Sequence, residues 1–280
     1  MEKDHRISGH ISRYLKIGLF ASAVFSLIFS ILVPIYNNGN VFRITAAAGM
    51  TVFVVFHGFH RYGWRKMSIF LIITFFISWI FETISISTGF PFGNFYYTTL
   101  LGAKAGTVPW GIMLAYFFTG YLAWTVGTIL LNESSSGIKK SKIILIPIVS
   151  AAIMVLWNLA FDPVLSTIEG NWVWESIGGL HGVPFVNSLG WLLTTYISFQ
   201  LFAVFLYTQK KEHEEKHRWF WSLVPIMLFS QVIEYVIHPF LRTEYIEIYR
   251  SAFWIAVFGI GTISIISFLF VNRKKGSFKG

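Results

Sequence analysis

Residues 79–109 read WIFETISISTGFPFGNFYYTTLLGAKAGTVP, and this stretch decides the fold. Glu82 lies in an apolar run, where a charge is expensive. A loop rich in glycine and aromatic residues follows, then Val108-Pro109 and another long apolar run. Residues 159–184, LAFDPVLSTIEGNWVWESIGGLHGVP, repeat the design. Gly93-Asn94-Phe95 and Tyr97 correspond to Gly170-Asn171-Trp172 and Trp174, Gly102 to Gly178 or Gly179, and Val108-Pro109 to Val183-Pro184. Two such units are expected to build one site at one face of a membrane bundle.

Working outward, the rest of the chain supports a membrane protein. It is 55% hydrophobic and 12% charged, with a mean hydropathy of +0.62, too apolar for a soluble domain. A membrane-crossing helix needs about 20 apolar residues. Eight segments qualify: 15–36, 44–60, 67–88, 109–131, 143–162, 188–208, 219–239 and 250–271. The expected fold is an all-α, polytopic membrane helix bundle, a single domain over residues 1–280. Within it, residues 67–131 and 143–208 form a tandem, parallel helix-loop-helix repeat. The first apolar run is long and lacks a small-x-small cleavage pattern, so it reads as a first helix rather than a signal peptide.

The net charge of +9 is unevenly placed. With a cytoplasmic N-terminus and eight alternating helices, the clusters around Arg13, Arg65, Lys140, Lys211 and Lys274 all fall inside. Only Arg43, Lys104, Arg242 and Arg250 fall outside, as the positive-inside rule requires. Both termini are then cytoplasmic, and the protein is expected as a multi-pass protein of the cell membrane. The basic residues are scattered at helix ends and read as topology signals and contacts to membrane lipids, not as a nucleic-acid surface.

Several motifs carry less than they promise. His57 and His60 stand before Arg61 at a helix end, and no second histidine box accompanies them. His213-Glu214-Glu215-Lys216-His217 has the spacing of a zinc motif, but it sits in a charged connection with no apolar face to shield a metal. Cysteine is absent, which excludes disulfides and thiolate chemistry. No dinucleotide fingerprint and no usable phosphate-binding loop occur, so neither a metal nor a nucleotide cofactor is expected.

The intramembrane acids are Glu82, Asp162 and Glu234. Each has a small polar residue four positions earlier, Ser78, Asn158 and Ser230, a spacing that shares one helix face. His238 follows Glu234 by one turn. One such acid could simply sit at the headgroups and bond loop amides. Three of them beneath two similar loops favour a site. A carboxylic acid kept from water holds its proton more tightly and can donate it near neutral pH. Trp79, Tyr96, Tyr97, Trp157, Trp172 and Trp174 offer aromatic faces that stabilise a cation, although some would serve as an interface belt. A proton donor beside aromatic faces suits protonation of an isoprenoid double bond. Water capture of the resulting cation gives hydration. Proton loss gives cyclisation or isomerisation. A transporter or lipid-binding scaffold, with the acids as a proton path, is the non-enzymatic alternative.

The run from Glu82 through Gly89-x-Pro91-Phe92-Gly93-x-Phe95-x-Tyr97, the Trp157-Asn158-x-x-x-Asp162-Pro163 run and the Gly182-Val183-Pro184-x-x-Asn187-x-x-Gly190-Trp191 run resemble membrane carotenoid biosynthesis proteins of the bisanhydrobacterioruberin hydratase type. The resemblance implies cofactor-independent water addition to the terminal C=C of an acyclic carotenoid held in the bilayer, with enzymes of the same pathway as neighbours. Glu82, Asp162 and Asn187 fall on the matching motifs. The expected roles are Glu82 as proton donor, Asp162 as the base that positions water, and Glu234 with His238 tuning or replenishing the proton. Asn158 and Asn187 would orient water or the acids.

Overall fold

A computed structural model of the protein describes residues 13–36, 39–133, 135–176, 178–209 and 217–273. Most of the zinc-like motif, residues 213–216, lies outside them, as do both ends of the chain. Seven helical segments among the described residues are long and apolar enough to cross a membrane. Helix α1 is Arg13–Leu32, α2 Gly39–Thr88, α3 Trp110–Leu130, α4 Leu145–Asp162, α5 Phe185–Thr208, α6 Arg218–Ser230, α7 Ile233–Leu241, α8 Ile246–Ile255 and α9 Thr262–Arg273.

The two segments expected at 44–60 and 67–88 are one run of 50 residues broken at Gly63, whose φ of 75° and ψ of 164° are not helical. A straight helix of that length would reach about 75 Å, more than twice the hydrocarbon core. Only glycine takes this conformation without strain, so one residue replaces a loop. The segment expected at 219–239 is interrupted after Ser230, so Glu234 stands on a separate short helix, α7. Helix α4 continues past Pro163 as a π-helical turn, Pro163–Ile168, and α8 joins α9 through another, Ala256–Gly261.

Helix α3 is the hub. Nearly every residue from Tyr116 to Ile129 is buried, and the helix is apolar all round, as a helix enclosed by others must be. It packs against α2, α4, α5, α6 and α9. At the ends of α2 and α4 the two glycine-aromatic loops meet. Strand β1, Phe95–Tyr97, pairs antiparallel with β4, Trp172–Trp174. Phe95 faces Trp174 and Tyr97 faces Trp172, so equivalent aromatics of the two loops exchange places across a local two-fold. Each loop then makes a tight hairpin. Strands β2, Lys104–Ala105, and β3, Val108–Pro109, form one, and the Leu180–Val183 bridge closes the other. Pro109 and Pro184 precede α3 and α5 with the same extended backbone, ψ 138° and 140°. The ribbon ties up backbone groups that a loop near the membrane would otherwise leave unpaired.

Candidate functional site

A cavity of about 410 Å3 opens beneath this ribbon. It lies between both arms of α2, the start of α3, the end of α4, α5 and the α6–α7 junction. Glu82, Asp162 and Glu234 all line it, with Tyr97, Trp157, Phe161, Trp172, Trp174 and Trp191 supplying most of the aromatic wall. Ile44 and Ala48 on α2 and Gly111 and Leu114 on α3 line the cavity and are exposed, so its mouth faces sideways from the bundle, where lipid would lie.

Glu82 is buried and held from both sides. Tyr97 donates its hydroxyl to Oε2 at 2.9 Å and Tyr116 donates to Oε1 at 3.0 Å. Burial, then the neighbouring Glu82, pushes the Tyr97 phenol far above its ordinary pKa, so it stays a donor. The Tyr116 ring stacks on Trp191 at 4.4 Å, and Trp191 in turn meets Trp157 and Phe161 edge-on. Ser78 takes no part, because its short hydroxyl donates to the Phe75 carbonyl of its own helix.

Asp162 closes α4 at the point where the helix widens into its π turn, and such turns recur at functional sites. Asn158 donates its amide to Oδ2 at 2.9 Å, realising the i, i+4 spacing. Asn187, reaching from α5, donates to the same oxygen. Among the described residues Oδ1 takes no hydrogen bond, and Trp172 lines the same cavity. Both acids are thus buried carboxyls whose hydrogen-bond partners are neutral, on one apolar cavity.

Comparison with known proteins places the chain in a family. The model of the family described as "Carotenoid biosynthesis protein" matches residues 39–258, most of the chain. The chain belongs to this family. A relative is the bisanhydrobacterioruberin hydratase of Haloarcula japonica, 29% identical over 139 residues. That match takes in 49% of this chain and 45% of the relative, so it spans under half of the relative's length. No solved structure matches the chain.

In this carotenoid biosynthesis protein Glu234 has a different setting from the other two acids. The Nε of Arg43 donates to its Oε1 and Oε2 at 3.1 and 3.3 Å. The two terminal nitrogens of Arg43 fork onto Glu169 at 2.8 and 2.9 Å. Burial raises the Glu169 carboxyl above its ordinary pKa, with Arg43 pulling it down and Glu234 pushing it up. Ser230 donates to the Met227 carbonyl rather than to Glu234. His238 does not line the cavity beneath the ribbon. It faces a second cavity and stacks on Tyr249 at 4.5 Å. Trp79 and Tyr96 also stand apart from that cavity: the Trp79 indole donates to the Ala105 carbonyl at 3.0 Å, and Tyr96 points outward on its strand. His57 is used in packing, with Nδ1 2.6 Å from the Tyr121 hydroxyl and its ring stacked on Phe220.

Tyr116, Trp191, Arg43 and Glu169 are the functional candidates that sequence reasoning did not name as site residues. Trp191 ends a quoted motif, and Arg43 is a lone cation in an apolar segment; both signals were present. Tyr116 has no such signal, because a tyrosine in an apolar helix is ordinary.

Proposed function

We propose that this protein hydrates the terminal C=C of an acyclic carotenoid without a cofactor. The observation that carries the reading is the pair Glu82 and Asp162: two buried carboxyls with neutral partners on one aromatic-walled cavity. The mouth between α2 and α3 suits a long apolar chain entering end-on from the bilayer. With α2 counted as two crossings, the bundle crosses the membrane eight times and both termini are cytoplasmic.

In this mechanism the π pair of the terminal double bond takes the proton of Glu82, forming a C–H bond and leaving a carboxylate. The positive charge rests on the tertiary carbon, where the faces of Trp157, Trp172 and Trp191 stabilise it. Water forms the C–O bond with a lone pair, and the proton it sheds goes to the Asp162 carboxylate, which Asn158 and Asn187 hold in place. Proton return from Asp162 to Glu82 completes a cycle whose net change is one added water. Tyr97 and Tyr116 stabilise the Glu82 carboxylate as it forms.

The test is Glu82→Gln in a host that makes an acyclic carotene such as lycopene. The expected result is loss of the hydroxylated pigment, whose mass exceeds the precursor by one water. Hydroxylated pigment at the normal level overturns the assignment. Growth in H2(18)O separates hydration, which retains the label, from cyclisation or isomerisation, which does not.

A further inference from the structure

Beside the reaction cavity lies a second one of about 430 Å3. Asn40, Glu169, His238, Arg242, Glu244 and Tyr249 are among the residues that line it, and exposed Tyr36 and Tyr245 stand at its rim. Val33 lines both cavities. So the two are neighbours, and an ionic cluster links their linings. The Arg43 guanidinium grips Glu169 and Asn40, which line the second cavity, and Glu234, which lines the first.

His238 gives the second cavity its chemistry. The residue is 4% exposed, and among the described residues neither ring nitrogen has a hydrogen-bond partner. A buried polar atom left so costs about 1–3 kcal/mol. A cavity that is polar and roomy holds water that satisfies such atoms. The charges around it, from Glu169, Glu244 and Arg242 with Arg43 behind, are of both signs, which suits neither a bound anion nor a bound cation. Water fits best.

The reaction needs such a supply. Hydration uses one water per turnover, yet the reaction cavity is apolar and aromatic, and flooding it would put bulk water in place of the aromatic faces. Water must therefore arrive in small number through a partition. We infer that the second cavity is the water reservoir for the hydration and that Arg43, clamped between Glu169 and Glu234, is the gate through which water passes. The inference rests on the hydration reading. Glu169 and His238 act as positioning residues, and neither touches the carotenoid.

Two measurements test it. The chain has no cysteine, so one introduced thiol reports on one place. A thiol reacts as thiolate, which apolar surroundings suppress, so His238→Cys in the full chain should react with a small cationic methanethiosulfonate at least about tenfold faster than Phe161→Cys in the reaction cavity. Equal rates overturn the wet cavity. The second measurement follows two fates of one cation in nanodiscs loaded with an acyclic carotene in D2O. Water capture gives alcohol. Loss of a proton to the Asp162 carboxylate restores the double bond and leaves deuterium in the recovered carotene. For Glu169→Gln and His238→Phe the ratio of alcohol to deuterated carotene should fall by about fivefold, the effect of one lost hydrogen bond in the supply path. Because both products come from the same folded molecules, a partly unfolded variant does not change the ratio. An unchanged ratio overturns the gate. A wild-type protein that makes no alcohol overturns the hydration reading instead, and the thiol rates still decide whether the second cavity is wet.

Discussion

The hydroxyl of Tyr116 donates to Oε1 of Glu82 at 3.0 Å, joining α3 to the second arm of α2 across 34 residues of sequence. The same ring stacks on Trp191, so one side chain fixes both the proposed acid and part of the aromatic wall. Tyr116→Phe keeps the stack and removes the donor. It should cost about 1–3 kcal/mol of stability and lower hydration about tenfold, since the carboxylate left by proton transfer loses one of its two donors. Tyr116→Leu should lose more in both. Melting in detergent and pigment mass provide the check, and a Phe variant equal to the wild type in both would remove Tyr116 from the site.

Asp162 depends on two amides that differ in what they hold. Asn158 is on its own helix, whereas Asn187 ties α5 to α4 and also donates to Asn158 Oδ1 at 3.3 Å. Asn187→Asp changes one group and almost no volume, yet it sets a second carboxyl against the first. Two acids in that position cannot both ionise, so the pair shares one proton, the charge is no longer confined to Asp162, and the amide that held the base in place is gone. The expected order of pigment yield is wild type, then Asn158→Ala, then Asn187→Asp. Yield from Asn187→Asp above that from Asn158→Ala would contradict the account.

Polar residues set in apolar runs, and aromatic residues of the repeated units, were legible from the sequence. Glu82, Asp162, Asn158, Asn187, Trp157 and Trp174 stand out there, and the structure brings them to one cavity or its immediate support. What hydropathy cannot convey is which distant residue answers each of them. Arg43 meets Glu234 across 191 residues and Glu169 across 126, and no local pattern encodes either pairing. The i, i+4 expectation held for Asn158, whose side chain is long enough to reach Asp162. It failed for Ser78 and Ser230, whose hydroxyls fall back on their own helix carbonyls. Strand alternation, not composition, separates Tyr97 on the cavity from Tyr96 outside it. Gly63 was hidden because a glycine inside an apolar pattern has no fixed meaning until its φ is known.

Arg43 balances two acids at once, so its loss is not the loss of one ion pair. Arg43→Leu leaves Glu169 and Glu234 close together without a cation. Removing one partner of a buried pair costs about 3–5 kcal/mol, and the fifth of the Arg43 and Glu169 side chains that remains exposed reduces this to about 2–4 kcal/mol. Adding Glu234→Gln to Arg43→Leu should restore part of the loss, although Glu234→Gln alone destabilises. A double-mutant cycle by thermal unfolding reads this directly, and strictly additive effects would refute the shared clamp.

Gly190 sets the distance between the first loop and α5. A Cβ built there would stand 2.5 Å from Cδ1 of Phe92 and 2.8 Å from the carbonyl oxygen of Pro91, closer than such atoms approach. The backbone of Pro91 cannot yield as a flexible side chain would, so Gly190→Ala must lift the loop that carries Tyr97 and the β1 ribbon. Overpacking of this kind costs about 1–3 kcal/mol. Gly18→Ala on α1 is the matched control, because its Cβ would find only the Phe56 ring at 3.8 Å. Both changes gain the same helix propensity, about 1 kcal/mol in favour of alanine, so the difference between them isolates the packing. Gly18→Ala should melt at or above the wild-type temperature with unchanged pigment yield. Gly190→Ala should melt lower and lose yield even at temperatures where it remains folded, because Tyr97 then no longer reaches Glu82. A Gly190→Ala protein that matches the Gly18→Ala control in both measurements would show that the loop has room to spare.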